Sequence, residues 1–172
     1  GVLTDQTTNG STMGKAGATG SYTTTTSVDS TWGIVLESTT NGTTLTKGGA
    51  TGSYQTVSVN DATWGVMTSQ TTTGSTKGKS GGVTGTYSTT TDVDGDWGVV
   101  LSSTTTGTTL GKGGSTTGTY KTVSSNDSTW GVLTDQTTNG STMGKAGATG
   151  SYTTTTSVDS TWGIVLESTT NG

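Results

Sequence analysis

The side chains in this chain that could do chemistry are few and regularly spaced: eleven Asp or Glu, seven positive charges that are all Lys, five Trp and five Tyr. His, Cys, Pro and Phe are absent, and no Arg occurs. Without imidazole or thiolate there is no Ser-His-Asp or Cys-His nucleophile, and no zinc or blue-copper site. The expectation is a protein that is not an enzyme.

The recurring carboxylates are Asp29, Asp61, Asp94, Asp127 and Asp159, each three residues before a Trp in a setting rich in Ser, Thr and Asn. An Asx-type turn, in which the carboxylate accepts backbone N–H bonds, is the simplest use of such a residue. One setting is richer. Asp92, Asp94 and Asp96 alternate with Val93 and Gly95, the spacing with which calcium loops collect oxygen ligands, and they are the candidate metal ligands. Calcium is the one cofactor suggested; otherwise none is expected. Lys15, Lys47, Lys79 and Lys112 recur once per repeat, either paired with the recurring Asp or as edge charges that block sideways sheet pairing. The stretches Gly10 to Lys15 and Gly107 to Lys112 imitate phosphate loops. They have three residues between the glycines where the loop needs four, with Ala or Gly after the Lys, so they read as turn sequence.

The only large rings are Trp32, Trp64, Trp97, Trp130 and Trp162 with Tyr22, Tyr54, Tyr87, Tyr120 and Tyr152. A buried structural ladder is the leading expectation for them, because each ring can bury ~150–250 Å² in a chain with little else to bury. The functional alternative is an exposed row that stacks on sugar rings. Asn9-Gly10, Asn41-Gly42 and Asn139-Gly140 are read as hairpin turns, since Asn-Gly supplies the positive φ angles of a type I′ turn. Asn9, Asn41, Asn126 and Asn139 also fit the N-glycosylation pattern. Thr runs such as 23–26 suggest a third use, an ice-matching surface, which Gln55, Val57, Lys121 and Val123 interrupt.

What must position these residues is a repeat. Residues 131–172 duplicate residues 1–42 letter for letter, an offset of 130. The chain is therefore expected to be a window on a longer array. Within the block lie units 1–32, 33–64, 65–97 and 98–130, followed by 131–162 and the start of another unit at 163–172. Trp32 to Gly42, Trp64 to Gly74 and Tyr22 to Trp32 are each 10 residues. Such intervals predict about three short strands per unit, for example 33–39, 43–47 and 53–59, with turns between. Units one and three share Gln6 and Gln70, whereas units two and four share Leu45 and Leu110. An odd number of strands per unit would explain that alternation. The fold expected is all-β, an antiparallel meander or thin β-sandwich fibre, with a parallel β-solenoid as the alternative.

The 172 residues include 50 Thr, 22 Ser and 30 Gly, while only 24% are hydrophobic. That is well below the usual apolar share of a soluble domain. A net charge of −4 without Arg argues against nucleic acid as a partner. No run of 18 apolar residues occurs, so neither membrane insertion nor a signal peptide is expected in this segment.

The repeat style and composition resemble the tandem-repeat regions of large Thr/Gly-rich bacterial or archaeal surface proteins, adhesin stalks and extracellular β-fibres. The resemblance implies an extracellular or cell-surface location, a structural stalk or filament, and copies of the same chain as partners along or beside the fibre. The alternative it leaves open is a carbohydrate-binding adhesin module with glycans as partners.

Overall fold

Thr, Val and Tyr favour a pleated surface, and the density of Gly and Thr penalises helix. The computed structural model, which describes all residues Gly1–Gly172, accordingly contains strands and turns and no helix. Its elements are β1 (Asp5–Gly14), β2 (Gly17–Val28), β3 (Val35–Thr46), β4 (Gly49–Asn60), β5 (Met67–Lys77), β6 (Val83–Val93), β7 (Val100–Leu110), β8 (Thr116–Asn126), β9 (Leu133–Gly144), β10 (Gly147–Asp159) and β11 (Ile164–Asn171). They form one 11-stranded sheet in chain order, every neighbour antiparallel. The meander is open. It neither folds onto a second sheet as a sandwich nor coils into a parallel solenoid.

Each unit holds two long strands, not three short ones. Residues 33–39 and 43–47, expected as separate strands, belong to the single strand β3. The Asn-Gly pairs lie in mid-strand: Asn9 and Gly10 in β1, Asn41 and Gly42 in β3, Asn139 and Gly140 in β9. The reason is across the ladder. Gly42 is in register with Tyr22 on one side and Tyr54 on the other. A Cβ on Gly42 would fall inside the Tyr54 ring, and the same holds for Gly10 under Tyr22, Gly74 under Tyr87, Gly107 under Tyr120 and Gly140 under Tyr152. These glycines make room for a ring lying flat across the neighbouring strand, the aromatic cover that offsets a glycine's weakness in a sheet.

The turns separate into two rims. Along one rim, β1–β2, β3–β4, β5–β6, β7–β8 and β9–β10 are joined by short turns carrying Lys15, Lys47, Lys79, Lys112 and Lys145. The extra residue of the 33-residue units is taken up here, where Gly78 and Gly111 bond across longer loops to Gly82 and Ser115. Along the other rim the connections carry Asp29, Asp61, Asp94, Asp127 and Asp159, each with its following Trp.

With two strands per unit, every unit runs in the same direction, and strand parity cannot cause the alternation between units. Its source is local. Near the Trp rim each pair of strands contains a bulge, with Leu36, Leu101 and Leu166 as the extra residue opposite Val28, Val93 and Val158. In the intervening connections Thr68 and Thr134 take that place, opposite Asn60 and Asn126. Apolar and polar bulges thus take turns along the rim.

A single layer has almost nothing to bury. Val28 at 8% and Val93 at 6% exposure are the only buried hydrophobic side chains. The cohesion lies in the ladder instead, with 95 of 109 backbone hydrogen bonds inside the strands, each contributing a net ~0.5–1.5 kcal/mol.

Candidate functional site

The Trp rim is built by one five-residue device repeated along the sheet. In its first copy the Asp29 carboxylate Oδ1 accepts the N–H of Thr31 at 3.0 Å and of Trp32 at 2.6 Å. The Asp29 carbonyl accepts Gly33 N–H at 2.9 Å, and Asp29 N–H donates to the Ile34 carbonyl at 2.7 Å. Gly33 sits at φ 73°, a left-handed angle that a side chain would strain. Asp61, Asp94, Asp127 and Asp159 each bind the backbone of their own Trp in the same way. Asp94→Ala removes two such bonds and should lower stability by about 1 kcal/mol. A fall in the urea midpoint, smaller for Asp94→Asn, is the expected reading.

This closure throws the indole outward. Trp32, Trp64, Trp97, Trp130 and Trp162 are 76–85% exposed, so the Trp half of the expected buried ladder is overturned. A turn at the rim of a single layer has no opposing layer to receive a ring. The Tyr half does lie on the sheet, over glycine, with Tyr22 and Tyr152 still about a third exposed at 38% and 36%. Successive Trp turns are two strands apart, ~9.6 Å at ordinary strand spacing. Beneath them runs an apolar strip in which Gly65 approaches Ile34, Gly98 approaches Val66 and Gly131 approaches Val99. Between the first two turns lies a cleft of ≈ 550 Å³ lined by Trp32, Ile34, Ala62 and Thr63.

The candidate metal loop is not assembled. Asp94 Oδ1 is occupied by the N–H groups of Asp96 and Trp97, and Asp92 points from β6 to the face opposite Val93. No group of three or more acidic side chains gathers with metal-holding geometry. Of the four candidate glycosylation residues, Asn9, Asn41 and Asn139 accept side-chain bonds from Thr23, Gln55 and Thr153 within the strands. Asn126 donates to the Gly131 carbonyl at the Trp rim.

Charge is segregated. All eleven carboxylates lie in the Trp-rim turns or within a few residues of them: Asp5, Glu37, Asp92, Asp135 and Glu167 lie near the Trp-rim ends of the strands that the turns connect. Six of the seven Lys lie at the other end, and only Lys121 is in mid-strand. A 12-residue strand such as β2 spans ~40 Å. The recurring Lys and Asp therefore cannot pair within the chain.

One feature was not visible in the Thr runs. Thr8, Thr24, Thr40, Thr56, Thr72, Thr89, Thr105, Thr122, Thr138, Thr154 and Thr170 are register partners in sequence across all 11 strands. At every second interface their hydroxyls pair at 2.8–2.9 Å: Thr24 with Thr40, Thr56 with Thr72, Thr89 with Thr105, Thr122 with Thr138 and Thr154 with Thr170. Gln55, Val57, Lys121 and Val123, which break the runs along the chain, occupy the opposite face. On the same face the row is flanked on one side by the Tyr rings and on the other by a Ser/Thr row that Gln6, Gln70 and Gln136 interrupt.

Fold and site together define a tandem-hairpin ribbon: a one-layer antiparallel repeat sheet with an aromatic, acidic rim and a basic rim. No protein-family model matches the chain, and neither does any curated protein. No helix is long and apolar enough to cross a membrane.

Proposed function

We propose that this chain is a non-catalytic structural element of an extracellular or cell-surface stalk or fibre, whose repeats lengthen one continuous sheet. The observation that supports this most is the way the duplicated block joins. Residues 131–172 repeat 1–42, and as β9–β11 they extend the sheet from β8 with the same internal register that β1–β3 have. Each 130-residue block adds eight strands, ~38 Å of ribbon at ordinary strand spacing. The composition agrees, since a chain without His or Cys has few means of catalysis and every means of pairing backbone.

Electron cryomicroscopy of the full-length protein tests the reading. Filaments with strands across the long axis, an axial spacing of ~4.8 Å and a hairpin repeat of twice that are expected. Discrete beads on a flexible string would overturn it.

The exposed indoles favour a second reading, a glycan-binding rim, because a row of solvent-facing aromatic rings can stack on successive sugars. Trp64 is 83% exposed, so Trp64→Ala should change stability by no more than about 0.5 kcal/mol. Loss of binding on a glycan array with an unchanged urea midpoint would support that reading; unchanged binding would remove it.

A further inference from the structure

The two rims are complementary to each other, and a single chain cannot bring them together. Once every two strands one rim presents a Lys, as at Lys15, Lys47, Lys79, Lys112 and Lys145. With the same period the opposite rim presents an Asp turn and an exposed indole. The hairpin repeat makes the two pitches equal, ~9.6 Å each.

We propose that the Trp rim is the docking surface for a second copy of this chain, which meets it with its Lys rim, so that ribbons associate side by side. Moving a copy along the strand direction by one sheet width brings every Lys rim position opposite a Trp rim position, without rotation. Each ammonium then faces a carboxylate-bearing turn and an indole face, which attracts cations when desolvated. The occupant is chosen by charge. Trp rim against Trp rim would bring together the carboxylates that all lie at that end, whereas Lys rim against Trp rim brings together opposite signs. The contact also covers the half-buried apolar strip of Ile34, Val66 and Val99 beside the indoles.

Individual contacts of this kind are weak, but they are tied together by the ribbon and act multivalently. The contact is heterologous, using different patches on the two partners, so it does not stop at a dimer. Such contacts continue until rotation closes a ring or leave an open assembly. The ribbons should therefore grow in width or close into a tube.

The inference rests on the ribbon reading, and the test separates their failures. The full chain is compared by sedimentation and negative-stain microscopy at low ionic strength and in ~1 M salt, where charge screening falls to ~3 Å. Widths of several ribbons are expected at low salt, collapsing to one ribbon at high salt. The combined variant Lys15→Glu, Lys47→Glu, Lys79→Glu, Lys112→Glu and Lys145→Glu should remain one ribbon wide at both, and Lys→Arg at the same sites should retain the wild-type widths. Single ribbons of wild type at low salt would overturn rim pairing while leaving the ribbon reading intact; beads would overturn both. Charge-reversed ribbons as wide as wild type, width that ignores salt, or loss of width with Arg would each overturn rim pairing. Zero-length carbodiimide crosslinking of wild type supplies a measurement independent of variant folding. Crosslinks between the Lys-rim lysines and Asp29, Asp61, Asp94, Asp127 or Asp159 have to be intermolecular, because the rims of one chain stand ~40 Å apart. Their absence from wide assemblies would overturn the proposal.

Discussion

Truncating the three central rings together, by Tyr54→Ala, Tyr87→Ala and Tyr120→Ala, should abolish most of the sheet's stability. Each of these Tyr residues is in register with a glycine on both sides, and its ring lies over the first of the two: Tyr54 over Gly42, Tyr87 over Gly74 and Tyr120 over Gly107. Removing it exposes the glycine backbone it covers, where no side chain can take its place. A fully buried large ring costs ~3–5 kcal/mol on truncation to Ala, and these half-buried ones should cost about 2 kcal/mol each. Three such losses are comparable to the lower end of the ~5–15 kcal/mol that usually separates folded from unfolded states. With only Val28 and Val93 buried, no core compensates. Far-UV circular dichroism through a urea titration reads the effect, and Tyr→Phe at the same sites should retain most of the stability. A midpoint shift as small as that of Trp64→Ala would show that the Tyr–Gly rows do not hold the sheet.

The same rows explain what could and could not be read from the sequence. Strand structure, the 32–33-residue period and the Asp-closed turn were legible, because β-propensity, glycine placement and carboxylate capping act locally. The number of strands was not. Asn41-Gly42 satisfies the local rule for a hairpin turn, and only its partner across the ladder shows that the glycine is there to receive a ring. A signal existed in the symmetric spacing: Tyr22 and Gly42 each lie 10 residues from Trp32, as partners do about the centre of a hairpin. The place of the Trp residues is hidden for a different reason. Scarcity of other apolar groups points to buried rings only where a second layer exists to receive them, and an open one-layer ribbon provides none. Segregation of charge could not be read either, since Lys and Asp alternate along the chain and separate only once the strands fold back.

The second large effect concerns length. Residues 33–64, one complete hairpin unit comprising β3 and β4, should be unfolded as an isolated peptide, because a lone two-stranded hairpin is at best marginally stable in water. Within the chain, β3 and β4 are held by each other and also by β2 and β5. Interior hairpins therefore gain two interfaces where an isolated one has none. Stability should rise steeply as units are added and then level off, as expected when it is a sum of unit and nearest-neighbour terms. Circular dichroism and urea midpoints for one unit, two units and the 172-residue chain measure the rise. Native-like strand content in the single unit would mean that each unit is an autonomous bead, and the argument for a continuous ribbon would lose its physical basis. An unfolded unit within a folded array would mean that the neighbour interfaces make the fold, so that a longer array is also a more stable one.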